Sequence, residues 1–364
     1  MLSTERSVIQ FIKPCRDFEE DHRALTPGYT AEMLIQGRMV QINLDNCSLQ
    51  RMEELPAEPT RAMAEKVGLL PLVEILQRAP ALALSATGLS EMPDQHVAKA
   101  RRAYQRFCAT FWPGHHDDVE ATQREYDESS TDRWVDFTSL SDGARCTYGV
   151  AYVALLQMQN IHRTYPLMRP EEKFETYLHS MVGMLDLVSA FELEIARYAF
   201  WEISAVEINR LPDKVRERRA DIKANFTKLM SSVSKCKRAA FNGAMDLHWL
   251  SGSNLSEDLG ATIKTNVGEL VLDNWVGTND EKLYRISRDL HSVPHEGSTM
   301  MRFKPAREPA LEALPYWRTV DRLSKDVMLY RDASGYQPLD KTLLGKIDKA
   351  VEYVDGELHK ALQS

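Results

Sequence analysis

The chain has 364 residues, of which 43% are hydrophobic and 27% are charged, and its formal net charge is −8. This composition is typical of a globular protein with a substantial core, and the length favours two domains, or one large domain that carries an insertion. The acidic balance argues against wholesale binding of a phosphate backbone by a basic surface, but leaves room for a local basic patch.

Cysteine usage and apolar segments bear on the cellular compartment. The five cysteines are scattered and include no CxxC pair, which argues against a disulfide framework and a thiolate zinc site. The N-terminal residues are charged and lack a long apolar run, so no signal peptide is predicted. The most apolar segment, 148–158, is far shorter than the roughly 20 residues that span a bilayer. We therefore expect a soluble, cytoplasmic protein with no membrane partner.

Apolar runs predict three strands in the first quarter of the chain. These are residues 8–12, 39–44 (MVQINL) and 81–84, the last of which also fits the start of a helix. Helical spacing predicts helices at 49–55, 60–78 and 94–109, with Pro71 as a candidate kink in the second. Residues 113–130 read as a polar loop.

The middle of the chain is predicted to be almost entirely helical. The predicted helices are 141–162, 171–204, 214–230 and 235–250. A strand is then predicted at 268–276 (GELVLDNWV), followed by a helix from Asp280, a strand at 299–303 and helices at 308–329 and 341–362. Because the strands are each followed by a helix, we expect an α/β fold with a small parallel sheet and a large helical insertion.

Four stretches far apart in the chain end in an acidic residue: Asp45, Glu91, Asp246 and Asp280. Asp45 directly follows MVQINL, and Asp280 follows LVLDNWVGTN. Sites in open parallel sheets lie beyond the carboxyl ends of the strands, so we expect these side chains to converge there. Converging carboxylates repel one another unless a cation lies among them, and hard oxygen ligands suit Mg²⁺ or Mn²⁺.

The order and flanks of these acids resemble those of the PIN-domain nucleases. The matching stretches are Leu44-Asp45-Asn46, Ser90-Glu91-Met92, Ala244-Met245-Asp246-Leu247 and Thr278-Asn279-Asp280-Glu281-Lys282-Leu283. The last is the most specific of the four. The turn after Asp45 departs from the family pattern, because Cys47 stands where Asn or Ser is usual.

The resemblance implies a PIN-like α/β core made of residues 39–92 and 236–303. An N-terminal arm (1–38) would precede it, a helical insertion (93–235) would interrupt it and a helical segment (304–364) would follow. The implied activity is metal-dependent hydrolysis of RNA. The implied catalytic residues and Mg²⁺ or Mn²⁺ ligands are Asp45, Glu91, Asp246 and Asp280, with Thr278, Asn46 and Asp273 in support. Asp273 lies within a strand, which favours a structural role.

By analogy, such an enzyme suits a toxin or defence effector that a protein inhibitor or activator controls. The helical insertion would be the place for that partner or for self-association. The densest basic region could guide an RNA backbone to the acidic site, or could simply be a solvated helix face. Its residues are Arg216, Arg219, Lys223, Lys235, Lys237 and Arg238.

Other interpretations stay open from the sequence. In one, the chain is a non-catalytic helical interaction protein or scaffold whose strand-end acids are turn or helix-cap residues. In another, it is a degenerate nuclease fold that binds nucleic acid without cutting it. The run 115–118 (HHDD) and the pair Glu192 and Glu194 are weaker metal candidates. Adjacent histidines point in different directions, and a di-iron bundle needs Glu-x-x-His pairs.

Overall fold

The protein is represented by a computed structural model of the chain. The structure describes residues 7–13, 24–113, 125–127, 129–131, 134–258, 262–265, 268–287, 290–293, 302–305, 308–333 and 342–363. Within them, the chain forms a mixed α/β fold that divides into two compact units. The first comprises Met1–Val135 and Trp249–Met301, and the second comprises Asp136–His248 and Arg302–Ser364. Residues 7–13 and 24–38, from the predicted N-terminal arm, therefore belong with the sheet, and the C-terminal helices belong with the part of the predicted insertion that follows residue 135.

The first unit contains the sheet and the helices that follow its strands. Its strands are β1 (Gln10–Ile12), β2 (Arg38–Leu44), β3 (Ala83–Ser85), β4 (Thr262–Thr265), β5 (Gly268–Thr278) and β6 (Leu290–Val293). Its helices are α1 (Pro27–Ile35), α2 (Asn46–Glu53), α3 (Arg61–Lys66), α4 (Leu70–Arg78), α5 (Asp94–Phe111) and α12 (Glu281–Ser287), together with the 3₁₀ helix Thr87–Glu91. The predicted strands at 39–44 and 268–276 are confirmed, and the ambiguous run at 81–84 contributes to a strand.

The five-stranded sheet has the order β1-β5-β2-β3, and β4 pairs with the first part of β5. The strands β3, β2 and β5 are parallel, whereas β1 and β4 are antiparallel to β5. The prediction of a purely parallel sheet is therefore wrong at one edge. Short antiparallel strands complete β5 along the side that β2 leaves open.

Alternation along β2 divides the sheet into two faces, because successive side chains of a strand point to opposite sides. Val40, Ile42 and Leu44 join the apolar core with Leu84 and Trp275. Residues of α2, α4 and α5 complete this core, including Leu49, Met52, Leu72, Val73, Val97 and Phe107. The opposite face of β2 carries polar side chains, which define the candidate site described below.

Gly68 links the turn between α3 and α4 to the sheet. The amide of Ile9 donates to the Gly68 carbonyl (2.8 Å), and Gly68 has a φ of 82°. A Cβ at this position would lie 2.4 Å from the Ser7 carbonyl oxygen. This turn, rather than a kink at Pro71, breaks the predicted helix 60–78, and Pro71 stands in the first turn of α4, where proline is tolerated.

We expect Gly68→Ala to destabilise the protein by about 2–3 kcal/mol, because a positive φ and a backbone clash add together. Gly37 provides the matched control, since its φ is 74° and a Cβ added there would have nothing within 4 Å. Gly37→Ala should cost only about 1 kcal/mol from the strained φ. Chemical denaturation of both variants would measure the difference. Equal losses would mean that the contact with Ser7 has no energetic consequence.

The second unit is built mainly from helices. They are α6 (Asp142–Thr164), α7 (Pro170–Leu185), α8 (Ala190–Phe200), α9 (Ala205–Ile208), α10 (Asp213–Asn225), α13 (Pro309–Glu312), α14 (Pro315–Ala333) and α15 (Leu343–Gln363). The strand β7 (Arg302–Pro305) also belongs to it. The boundary between the units falls within α11 (Val233–Asp258).

Two contacts show how these helices pack and end. Gly149 lets α6 approach α15 closely, because a Cβ there would lie 2.6 Å from the Ile347 side chain. The single helix predicted at 171–204 is instead two helices, and α7 ends where Asp186 adopts a left-handed φ of 52°. Arg331 of α14 binds the Asp186 carboxylate (2.8 Å), which favours this break. In the described part of the chain, no helix is long and apolar enough to cross a membrane.

Candidate functional site

Asp45 lies at the carboxyl end of the central strand β2, where α2 begins. Its backbone amide donates to the Gly277 carbonyl (3.2 Å), which extends the pairing of β2 with β5. One carboxylate oxygen accepts from the Ser48 amide (2.9 Å) and so caps α2. The other accepts from the hydroxyl of Thr278, the last residue of β5. Two parallel strands thus hold one buried carboxylate at their shared end.

Asp45 is only 5% exposed, and this burial dominates the electrostatics of its carboxylate. Desolvation raises the pKa of Asp45 from 3.8 to about 6, against hydrogen bonds from Thr278 and Ser48 that lower it. The charge of Asp280 raises this pKa further. Two of the predicted carboxylates are therefore close enough at this edge for one to affect the ionisation of the other.

The turn Thr278-Asn279-Asp280 organises the end of β5. The Asp280 amide donates to the Thr278 hydroxyl oxygen (2.9 Å), and the Asp280 carboxylate accepts from the amides of Lys282 (2.8 Å) and Leu283 (3.2 Å). Asp280 therefore caps α12. Asn279 is buried, and its amide oxygen lies 3.1 Å from the Ser48 hydroxyl. Each of the three polar side chains has a defined place in this turn.

The 3₁₀ helix Thr87–Glu91 approaches Asp45 from the end of β3. A Cβ on Gly88 would lie 2.5 Å from both the Asp45 carbonyl carbon and the Asn46 amide nitrogen, so this approach requires glycine. Glu91, at the end of the same short helix, accepts a hydrogen bond from the Trp249 indole (2.6 Å). Glu91 is thus carried by a segment that packs on the Asp45 backbone, with its carboxylate turned to a tryptophan.

The other predicted residues occupy different surroundings. Asp246 is half-buried on α11 and belongs to the second unit. Asn46 is the first residue of α2, and its side chain accepts from Gln50 (2.9 Å) along that helix. Asp273 is bound by the ammonium group of Lys13 (3.1 Å), among other partners, in the middle of β5. This surrounding supports the structural role predicted for Asp273.

Sequence reasoning missed a buried polar face that leads along the sheet to Asp45. The Gln41 amide donates to Asn43 Oδ1 (2.9 Å), and the Asn43 amide donates to Asn274 Oδ1 (3.3 Å). The Thr87 hydroxyl donates to Asn43 Oδ1 (3.2 Å). The signal is present in MVQINLD, where Gln41, Asn43 and Asp45 alternate with apolar residues, because period two places all three on one face. Interpreting this segment only as a compact apolar run overlooks that alternation.

The predicted basic region does not form one uniform surface. Arg216 pairs with Asp213 on α10, and Lys237 lies 3.7 Å from Asp355. Arg219 and Lys223 are half-buried, whereas Lys235 is exposed near Ser231 and Ser232. Arg238 also belongs to α11. The region thus divides into surface charges and inward-facing ones.

The two weaker metal candidates are the run 115–118 and the pair Glu192 and Glu194. The run 115–118 lies outside the described residues. Glu194 is buried on α8 and binds the Arg197 guanidinium (2.7 Å). Glu192 is buried beside the Ser189 hydroxyl, and burial raises its pKa. These contacts favour structural roles for both glutamates.

The sheet edge offers two carboxylates, those of Asp45 and Asp280, to a hydrated divalent cation. Across the described ranges, no group of three or more His, Cys, Asp or Glu side chains is arranged to hold a metal. Thr278 however links the two aspartates, because its hydroxyl donates to the Asp45 carboxylate and accepts from the Asp280 amide, and the charge of Asp280 raises the pKa of Asp45. Mg²⁺ commonly binds proteins through one or two carboxylates and keeps several waters. These two aspartates are the residues that would hold such an ion.

Comparisons with protein-family models, with curated proteins and with solved structures find no match to this chain.

Proposed function

We propose that the protein is a metal-dependent ribonuclease whose site is the carboxyl edge of the sheet in the first unit. The observation that carries this proposal is the placement of Asp45 at the end of β2. There the Asp45 carboxylate is buried and accepts a hydrogen bond from the Thr278 hydroxyl, and the charge of Asp280 raises its pKa. Parallel strands often form catalytic sites at this edge. The raised pKa of Asp45 also indicates an unfavourable ionised state, which a bound cation would relieve.

In this proposal, Asp45 and Asp280 hold Mg²⁺ or Mn²⁺, and Thr278 fixes the orientation of the Asp45 carboxylate. When bound, the ion would activate water and stabilise the charge that develops on a phosphodiester. The capping bonds to Ser48, Lys282 and Leu283 keep both carboxylates in place without a ligand. Glu91, which lies in the same unit, remains a proposed member of the acidic set, and RNA remains the proposed substrate.

The direct test is cleavage of labelled single-stranded RNA by the purified 364-residue chain with Mn²⁺ or Mg²⁺, compared with EDTA. We expect cleavage only with the metal ion. Thermal unfolding at pH 8 should also show stabilisation by Mn²⁺, of about 2.7 kcal/mol at a concentration 100 times the Kd. RNA that stays intact, together with a transition temperature that Mn²⁺ does not change, would contradict the proposal.

A second candidate is a non-catalytic interaction protein, and the capping geometry favours it. Asp45 caps α2 and Asp280 caps α12, so both acids have structural roles that need no metal. Under this alternative, Mn²⁺ leaves both RNA and stability unchanged. A degenerate nuclease fold would differ again, because it would bind labelled RNA and leave it intact.

A further inference from the structure

A cluster of basic side chains lies among α6, α7, α8 and α10 of the second unit, whereas Asp45 and Asp280 belong to the first unit. We call Lys173, Arg219 and Lys223 the basic cluster; the carboxylate of Glu202 lies beside it. Lys173 is almost fully buried, with 3% of its side chain exposed, and its ammonium group contacts Glu202 (2.8 Å) and the Pro166 carbonyl (3.3 Å). The Glu202 side chain is 56% exposed.

Arg219 contributes a guanidinium group from α10. It donates to the Trp201 carbonyl (3.3 Å) and lies over the Trp201 ring at 5.5 Å from the ring centroid. Its buried Nε has no hydrogen-bond partner among the residues that the structure describes. A buried donor without a partner is costly, and an acceptor in this position would remove that cost.

Lys223 follows Arg219 by one helical turn on α10, and the charge of Arg219 acts on Lys223. Burial, then the charge of Arg219, lowers the pKa of Lys223 to about 8, while Glu202 opposes this shift. The charges of the cluster also act on His162 of α6. Burial, and then the charges of Lys173 and Lys223, lower the pKa of His162 to about 4. The His162 ring is therefore neutral at pH 7 and adds no charge.

Charge balance within this group points to a missing anion. Among the described residues, Glu202 contacts Lys173 and acts on the pKa of Lys223, which the charge of Arg219 also affects. The interactions shown here therefore join three cations to one carboxylate. Bringing like charges together in a half-buried place is unfavourable unless a counter-charge joins them. Glu202 can turn into solvent, because it is the most exposed member, and doing so would release the Lys173 ammonium group.

We propose that the basic cluster binds a phosphate-bearing small molecule through a phosphomonoester dianion that displaces Glu202. Lysine and arginine donors form strong charge-assisted hydrogen bonds to phosphate oxygens, and a dianion brings more counter-charge to the cluster than the single carboxylate that it displaces. The near-complete burial of Lys173 favours a compact terminal phosphate over the continuous backbone of a polymer. This site is independent of the sheet edge and of the proposed nuclease activity.

Calorimetric titration of the 364-residue chain at pH 7 and constant ionic strength tests this inference. The probes are inorganic phosphate, a nucleoside 5′-monophosphate, the matching nucleoside and an oligoribonucleotide without terminal phosphates. We expect the two phosphomonoester probes to bind and the nucleoside and oligonucleotide not to bind. Tighter binding of the nucleotide than of inorganic phosphate would identify an organic phosphate as the ligand. Absence of phosphate binding, or equal binding by the oligonucleotide, would overturn the proposal.

Substitutions locate the site. Lys223→Met should weaken phosphate binding at least about ten-fold, whereas Lys214→Met, which removes the same charge from an exposed position on α10, should leave it unchanged. Glu202→Gln should tighten binding, because it removes the competing carboxylate, and added phosphate should raise its transition temperature more than that of the wild type. If Lys223→Met does not fold, the phosphate affinity of Glu202→Gln still tests the assignment. Equal behaviour of the two lysine variants, or no gain for Glu202→Gln, would contradict the assignment.

Discussion

Asp45→Asn is expected to abolish RNA cleavage and to stabilise the protein at the same time. The amide can still accept from Ser48 and can donate to Thr278, so the cap of α2 is kept. It cannot supply the charge that a cation requires, and we expect cleavage to fall by about 100-fold or more. When a catalytic group destabilises the folded protein, its replacement should lower activity and raise stability together.

The pH dependence of stability gives the second half of this prediction. Because the pKa of Asp45 is raised from 3.8 to about 6 in the folded protein, the folded state binds the proton more tightly than the unfolded state. The free energy of unfolding should therefore fall as pH rises from about 4 to about 6, by about 3 kcal/mol in total, and this contribution should stay constant above pH 6. In Asp45→Asn this component disappears, and at pH 8 the variant should be more stable by up to about 3 kcal/mol.

Denaturant unfolding at several pH values, with RNA cleavage measured on the same preparations, checks both halves. Glu58→Gln is the matched control, because it removes a carboxylate from an exposed position before α3 and should change neither quantity. A variant that is less stable than the wild type at pH 8 would show that Asp45 is a structural cap and carries no ionisation cost. Unchanged cleavage would remove Asp45 from the proposed site.

Asp273→Ala is expected to cause the largest loss of stability among the substitutions considered. The Asp273 carboxylate is contacted by Lys13 (3.1 Å), Arg38 (3.5 Å), the Tyr29 hydroxyl (3.0 Å) and the Trp275 indole (2.8 Å). Its side chain is 3% exposed and that of Lys13 is 9% exposed. Removal would leave a buried ammonium group without its counter-ion, at a cost of about 3–5 kcal/mol.

A double variant and a surface pair serve as controls for this prediction. In Lys13→Met with Asp273→Leu, both charges are removed together, so the loss should be smaller than for Asp273→Ala alone. Glu74→Ala, which breaks the exposed pair with Arg61, should cost less than about 1 kcal/mol. Equilibrium unfolding in urea measures all three. A double variant that is less stable than Asp273→Ala would show that the individual contacts, rather than charge compensation, hold this part of the sheet.

The parts of the fold that could be predicted from sequence are those that local patterns encode. β-Branched residues in MVQINL and the apolar run LVLDNWV indicated β2 and β5, and Ser141 and Pro170 marked the starts of helices that the structure contains. The antiparallel edge was not predictable, because β1 has three residues and its pairing with β5 joins positions more than 260 residues apart. Nothing local to residues 10–12 specifies that partner.

The candidate site was predictable to a similar extent. The position of Asp45 and Asp280 after strands indicated their common edge, and the contact through Thr278 agrees with it. The interaction of Glu91 with Trp249 depends on a side chain 158 residues away, which spacing cannot reveal. The half-buried place of Arg219 and Lys223 depends on the packing of α10, and a charge run alone reads as a solvated surface.

The position of β5 in the chain also bears on how the protein folds during synthesis. The register pairs Gln10 with Thr278 and Gln41 with Asn274, so the first two strands gain their shared neighbour only after the ribosome has added more than 200 further residues. At typical elongation rates this interval is on the order of tens of seconds. Throughout it, β2 has an unpaired edge, and such edges invite association between nascent chains. The late arrival of β5 therefore leaves the growing chain open to such association for as long as this interval lasts.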